Sequence, residues 1–396
     1  MACGVSVSSV ARYLSRAVLL LGLSLGLAAC ASRPQGVLAP VKANAAVAQK
    51  VDLLVATTRA PVAEPGVYFN GERGPDLSLS NIVVSIPDQR PVGSIQWPNR
   101  VPGDPARDFV TTQVTPMQPD QAKAWFKRTA GKPKRVLIFV HGFNTQFADS
   151  VFRFAQIVHD TDANVAPILF SWPSRGSVFD YNYDRESANY SRSELASVIL
   201  AAANSPAVSD VTIMAHSMGG WLAVESLRQI ALQQGRVPAK VSNLILASPD
   251  LDIDVFRKQV LEMGPKRPHI TLFVSQNDRA LRLSRLLSGR MTRLGAVDIT
   301  REPYLSQMES AANITVLDLT ALQNGDRLNH SKFATSPEVV QLMGDRLIQG
   351  QSVTDSTLGS AGGLGATTLG AGQVLGSAAG AVLTAPILIF ESAGRK

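Results

Sequence analysis

Residues 211–221 read Val-Thr-Ile-Met-Ala-His-Ser-Met-Gly-Gly-Trp. An apolar strand-like run stops at Ser217, which is fenced by Ala215 two residues before and Gly219 two after, and a helical pattern starts at once. Small residues at these spacings suit a strand-to-helix turn so tight that the serine is strained and its hydroxyl stands clear of the sheet. Ser217 is therefore a candidate nucleophile. Its hydroxyl is weak until a base takes the proton, and a carboxylate must hold that base in one tautomer. The chain has five histidines. A serine in such a turn is followed in the chain by its acid and then its base, which excludes His141, His159 and His216. His269 precedes the apolar run 270–275 and would lie at the wrong end of a parallel strand. His330 follows the last such run, in the loop Leu328-Asn329-His330-Ser331-Lys332-Phe333, and is left as the base. Asp278, in Gln276-Asn277-Asp278-Arg279 after the run 270–275, is the first choice of acid. Asp250 and Asp252, after the run 243–247, are the alternatives. With Asp254 they also suit the N-cap of a helix over 253–263.

Attack on an acyl carbon places negative charge on its oxygen, and two preorganised N–H donors are needed there. The backbone N–H of Met218, at the start of the helix, is one. The loop His141-Gly142-Phe143-Asn144 follows a buried strand and lies well upstream of the serine. Its Phe143 N–H is the natural second donor, with that of Asn144 as the less favoured choice. Trp172, Tyr181, Tyr183 and Asp184 follow another strand and are candidates to line a cleft. Arg279, Arg282, Arg285, Arg290 and Arg293 form a basic cluster after the acid, which reads either as a solvated helix face or as a contact for anionic head groups. No phosphate loop, dinucleotide signature or Cys/His metal cluster is present, so no cofactor and no metal are expected.

These side chains need a scaffold that brings loop ends together. Residues 51–57 and 81–87 read as strands separated by Gly, Pro and Asn, so the body opens with β structure. Short apolar runs then follow at 135–140, 167–172, 211–215, 243–247, 270–275 and 314–319. Between them lie helical patterns, one of which carries Phe147, Val151, Phe154, Ile157 and Val158, with others at 191–203 and 219–234. The alternation predicts an α/β fold: a mostly parallel central sheet with helices on both faces and antiparallel strands at its N-terminal end. Sites in such sheets sit at the carboxyl ends of the strands.

Charged residues make up 17% of the 396, below the roughly 25% of ordinary soluble domains, and both ends explain the deficit. Residues 1–29 carry Arg12 and Arg16, then an apolar run over 17–29 that is shorter than the ~20 residues of a membrane span, which is the pattern of a secretory signal. Leu27-Ala28-Ala29-Cys30 matches the bacterial lipobox, a resemblance that implies acylation of the Cys30 thiol. The other cysteine is Cys3, lost with the signal, so no disulfide is expected. Removing Arg12 and Arg16 from 38 basic residues leaves 36 against 31 acidic ones, a formal charge of +5. That mild excess suits an anionic membrane surface, and no aromatic-and-basic nucleic-acid motif accompanies it. The organisation expected is a signal peptide over 1–29, a tether over 30–49, one catalytic domain over 50–350, and a Gly/Ala/Ser/Thr-rich tail over 351–396. In that tail Gly372, Gly376 and Gly380 fall at four-residue spacing before an apolar run over 378–390. Such spacing suits close helix packing in a membrane, and the composition equally suits a flexible tail.

Residues 51–350 resemble the α/β-hydrolase (esterase/lipase) superfamily, and in particular its bacterial group of the domain-of-unknown-function 900 type. The resemblance is carried by Ala-Thr-Thr-Arg at 56–59, Val-Ser-Ile-Pro at 84–87, His-Gly-Phe-Asn at 141–144 and Ser-Trp-Pro-Ser at 171–174. Ala-His-Ser-Met-Gly-Gly at 215–220 and Asn-His-Ser-Lys-Phe at 329–333 add to it. Ala215 departs from the glycine of many relatives. The resemblance implies serine-hydrolase chemistry without supplying a substrate. Together these readings lead us to expect a lipid-anchored enzyme of the bacterial cell envelope, on the periplasmic face of the outer membrane, that hydrolyses small carboxylic esters. Thioesterase, amidase or acyltransferase chemistry would use the same residues, and a non-catalytic envelope protein is the alternative outside enzymes.

Overall fold

A computed structural model describes residues 34–42, 48–129, 135–304, 313–323, 325–344, 348, 381–384 and 387–391. The proposed signal and Cys30 lie outside the described residues, as do Gly372, Gly376 and Gly380. The strands are β1 (Ala48–Pro61), β2 (Phe69–Pro87), β3 (Val110–Met117), β4 (Arg135–Val140), β5 (Ala166–Ser171), β6 (Asp210–His216), β7 (Val241–Ala247), β8 (His269–Val274), β9 (Ile314–Asp318), β10 (Ala381–Thr384) and β11 (Ile387–Glu391). They form one sheet in the order β10-β11-β9-β8-β7-β6-β4-β5-β1-β2-β3. From β9 across to β1 every pair is parallel.

Among the helices are α1 (Pro119–Thr129), α2 (Phe147–Asp160), α3 (Tyr181–Tyr190), α4 (Arg192–Asn204), α5 (Met218–Gln234), α6 (Ile253–Met263), α7 (Arg279–Leu287), α8 (Lys332–Thr335) and α9 (Pro337–Leu342). Helices on both faces explain the continuous apolar runs of the central strands, since a strand covered twice has no solvent side. In β4 the period of two is still legible. Val136, Ile138 and Val140 enter one core with Leu195, Leu222 and Leu227, whereas Leu137 and Phe139 enter the other with Val151, Phe154 and Met343.

The α/β architecture and the antiparallel N-terminal strands are as expected. β1 pairs antiparallel with β2, and β2 with β3. Several elements go beyond the sequence reading, α3, α8 and α9 among them, and two of the additions bear on the sheet. β3 and α1 fill the stretch between the opening strands and β4, where no element was anticipated. Within the segment read as a tail, β10 and β11 form an antiparallel hairpin, and β11 pairs with β9. An apolar run in a glycine-rich context thus extends the sheet edge, a use for which its unpaired backbone groups suit it. No helix among the described residues is long and apolar enough to cross a membrane.

The strand order reverses at β4. The chain moves from β4 outward to β5 on one side, then returns to lay β6 on the other. The crevice at such a switch point lies beyond the carboxyl ends of the two central strands. Here those ends carry His141-Gly142-Phe143 and Ser217.

Candidate active site

Ser217 occupies φ 53° and ψ −123° between β6 and α5, a conformation that non-glycine residues avoid. The turn is held from both sides. The Ser217 N–H donates to the Ala247 carbonyl at 2.9 Å, and its carbonyl accepts from the Gly220 N–H at 2.9 Å and the Asp250 N–H at 3.1 Å. Small flanking residues are required by contact: a Cβ added at Gly219 would collide with the carbonyl oxygens of Val140 and His141. Ala215 is fully buried and fits. Alanine in place of glycine therefore leaves the strained turn intact.

The loop after β4 packs directly on this turn, and a Cβ at Gly142 would stand 2.8 Å from the Ser217 Cβ. Two buried charges hold the loop. Arg59 donates to the carbonyls of Thr145 at 2.7 Å and Ser174 at 2.9 Å and to Ser171 Oγ at 2.9 Å, and its Nη2 lies 3.2 Å from His141 Nε2. Burial lowers the Arg59 guanidinium to about 9, with Asp184 and Asp149 opposing, so it stays charged at neutral pH. Asp184 accepts from the Asn144 N–H at 3.2 Å, the Arg175 N–H at 3.1 Å and Ser174 Oγ at 2.5 Å, and burial raises its carboxyl above the usual range. The Trp172 N–H and the Arg59 guanidinium can only donate, so His141 Nε2 accepts and its Nδ1–H faces the Gly142 carbonyl at 2.9 Å. Burial, with Arg59 beside it, pushes His141 well below the usual histidine range and keeps it neutral. Among the described residues the backbone N–H groups of Phe143 and Met218 donate no hydrogen bond within the chain. Met218 directly follows Ser217, and Phe143 follows Gly142, which packs on the serine turn.

His330 and Asp278 meet at 2.7 Å, Nδ1 to Oδ2, with the carboxylate fully buried and the ring 13% exposed. The other carboxylate oxygen accepts from the Leu281 N–H at 2.9 Å and so caps α7. Burial pulls the His330 pKa down, but the hydrogen bond and charge of Asp278, with Asp250 and Asp326 farther off, outweigh it and leave it raised. The His330 loop is anchored by Asp326, whose Oδ1 accepts from the N–H groups of His330 and Ser331 at 2.7 and 2.9 Å. Lys332, almost wholly buried, ties this loop to that of Asp278 by donating to Asn277 Oδ1 and the Leu319 carbonyl at 2.9 Å. His216, the residue before Ser217, donates from Nε2 to the His330 carbonyl at 3.2 Å, and the two rings have centroids 4.6 Å apart. Ser217 and His330 themselves share no hydrogen bond, a contact that often tightens only with substrate.

The other acids are engaged elsewhere. Asp250 is buried against Arg293 at 3.1 Å and accepts from Ser284 Oγ at 2.5 Å and the Tyr181 hydroxyl at 3.1 Å. Asp252 caps α6 through the N–H groups of Asp254 and Val255. Replacing Asp250 by alanine leaves a buried unpaired guanidinium and is expected to destabilise the fold by about 3–5 kcal/mol, read from urea unfolding. Arg293 is thus no member of a solvated basic face. Nor do Trp172 and Asp184 line a cleft: both are fully buried behind the loop they hold, because their polar atoms are used by its backbone. Tyr181 is likewise buried and stacks edge-on against Phe143 at 5.3 Å. Tyr183 is half-buried and bonded to the Gly71 carbonyl and Glu72. Arg59 and Lys332 were not legible as site residues, since an arginine or lysine without visible partners reads as surface. No cluster that could hold a metal occurs among the described residues.

A strained serine turn between a central strand and helix, on a mostly parallel sheet covered on both faces, defines an α/β hydrolase. The chain belongs to the family described as alpha/beta hydrolase of unknown function, DUF900, whose model matches residues 118–346. It is similar to an uncharacterized protein of Nostoc sp. strain PCC 7120, 26% identical over 160 residues, covering 32% of this chain and 42% of that protein. The chain thus spans less than half the length of that relative. Solved structures similar to it include a lipase-esterase related protein of Clostridium acetobutylicum, with 12% identity, TM-score 0.31, and coverage of 54% of this chain and 93% of that one. Another is the thermophilic carboxylesterase EstE1 from a metagenomic library, with 12% identity, TM-score 0.33, and coverage of 79% and 92%.

Proposed function

We propose that this α/β hydrolase is a serine hydrolase that cleaves carboxylic esters through an acyl-enzyme. Ser217 attacks the acyl carbon while neutral His330 takes its proton, and Asp278 orients the imidazole and stabilises the imidazolium. The amides of Phe143 and Met218 receive the oxyanion. His330 then returns the proton to the departing alcohol, and a water activated by the same imidazole releases the acid. The observation that carries this reading is the buried 2.7 Å Asp278–His330 bond, in a loop that His216 ties to the strained serine turn. The test is labelling of the purified protein by a fluorophosphonate, beside hydrolysis of short p-nitrophenyl esters. A wild-type chain that is neither labelled nor active overturns it.

The base works only when neutral, and the histidine's pKa is raised. The acid limb of kcat/KM is therefore expected above the ~6.5 of an unperturbed histidine, with activity lost as pH falls through it. A pH–rate profile in a soluble ester checks this.

The enzyme is further proposed to be anchored in the cell envelope by acylation at Cys30. Cys30→Ser is then expected to move the protein from the membrane to the soluble fraction on ultracentrifugation. Retention in the membrane would sink the anchor.

A further inference from the structure

Helix α7 does more than receive its cap from Asp278. Residues 279–293 contain five arginines and no acidic side chain. Arg293 is consumed by Asp250, while Arg279, Arg282, Arg285 and Arg290 are exposed. A surface helix ordinarily turns its leucines inward. In α7 only Leu281 and Ser284 are buried, and Leu283, Leu286 and Leu287 stand 47%, 67% and 51% exposed.

The surface continues onto the loop of the base. The Arg279 N–H donates to the Leu328 carbonyl at 2.9 Å, and Leu328 is 49% exposed, two residues before His330. On the other flank Tyr181 Oη lies 3.0 Å from Ser284 Oγ, and Phe179, two residues earlier, is 95% exposed. Three segments therefore place open apolar side chains around the end of the sheet that carries Asp278 and His330. Arginines are interspersed among them.

We infer that this face docks on an anionic phospholipid bilayer and turns the Asp278–His330 end of the sheet toward it. Charge complementarity selects the occupant: four exposed guanidinium groups with no carboxylate among residues 279–293 suit a continuous sheet of phosphates, and the leucines between them need an apolar layer directly beneath it. A bilayer surface accommodates both, with leucines entering the acyl boundary and arginines, on long stems, meeting the phosphates. The bilayer then supplies the substrate class, acyl esters dissolved in or forming the membrane; that step rests on the hydrolase reading above, whereas docking does not.

The test uses the full chain with Cys3 and Cys30 replaced by serine and an environment-sensitive nitrobenzoxadiazole dye on Leu286→Cys. Leu232→Cys is the control, since Leu232 is 58% exposed but about 21 Å along α5 from the serine turn. With vesicles of equal parts phosphatidylglycerol and phosphatidylcholine, the dye at 286 is expected to shift to the blue and be quenched by a lipid-borne quencher, while the dye at 232 is not. The shift is expected to be lost in Arg282→Gln/Arg285→Gln/Arg290→Gln and to weaken at about 1 M salt, where the screening length falls to about 3 Å. Equal responses at 286 and 232, or an equal shift with phosphatidylcholine alone, overturn the proposal. So does a shift present before vesicles are added, which would mean that a second copy of the chain covers the face. The dye reports docking without turnover, and fluorophosphonate labelling of the same sample reports the hydrolase reading separately.

Discussion

Ser217→Ala is expected to lower kcat/KM for a short soluble ester by on the order of 10⁶-fold, with the fold intact. On the proposed mechanism, the magnitude follows from removing the nucleophile of a triad that acts as a unit. Ser217 makes its structural contacts through its backbone, to Ala247, Gly220 and Asp250, and no side-chain bond is lost. Alanine meets the same strain at φ 53°, because the penalty for that conformation comes from the Cβ both residues carry. Stability should therefore change little while both turnover and fluorophosphonate labelling disappear. Because residues of such a unit are not additive, Ser217→Ala/His330→Ala should be no slower than Ser217→Ala alone. A Ser217→Ala enzyme that retained more than a small fraction of the rate would show that another group attacks.

Asp278→Asn is expected to reduce turnover by about 10⁴-fold, through the tautomer and charge of His330. An amide can still cap α7, since asparagine and aspartate are comparable N-caps, so the helix should hold. What changes is the 2.7 Å contact to His330 Nδ1. A neutral amide no longer stabilises the imidazolium, and its NH2 group facing Nδ1 favours the tautomer with the proton on the nitrogen that should accept from Ser217. The charge that keeps the His330 pKa raised is also removed, so the acid limb of the residual activity should move to lower pH. A merely structural aspartate would not move that limb. Asp250→Asn is the contrast: that carboxylate is held by Arg293, Ser284 and Tyr181. Its effect should fall on stability far more than on kcat. Comparable losses of kcat in the two variants would defeat the assignment of Asp278 as the acid.

The order of the central strands and the candidate site residues were legible because both are local signals. Strands buried on two faces announce themselves as apolar runs, and β4, β6, β7 and β8 begin or end within a residue or two of those runs. A tight turn demands small neighbours, so Ala215 and Gly219 pointed to Ser217 without any knowledge of its surroundings. Chain order left His269 and His330, and the place of His269 before its strand, at the wrong end of a parallel sheet, singled out His330. The choice between Asp278 and Asp250 was different in kind, since each follows a strand and each precedes a helix. The sequence could rank Asp278 first only by offering a capping role for the other acids; the three-dimensional arrangement shows their partners, with Asp278 reaching across 52 positions to His330 and Asp250 taken up by Arg293.

The same holds for the residues that hold the site in place. Arg59 meets His141 from 82 positions away, and Lys332 meets Ser275 from 57. Neither has a partner nearby in sequence that would distinguish it from an ordinary surface cation. The hairpin of β10 and β11 was hidden for a related reason. Its apolar run in a glycine-rich context read as a membrane helix or a flexible tail, and its place at the sheet edge depends on pairing with β9, some seventy residues earlier. Local composition and spacing thus determine which residues have the chemistry and on which elements they ride. Which charges are buried together, and which carboxylate meets His330, is decided by contacts between distant segments, because the free energy of a buried ionic group depends on its neighbours in space.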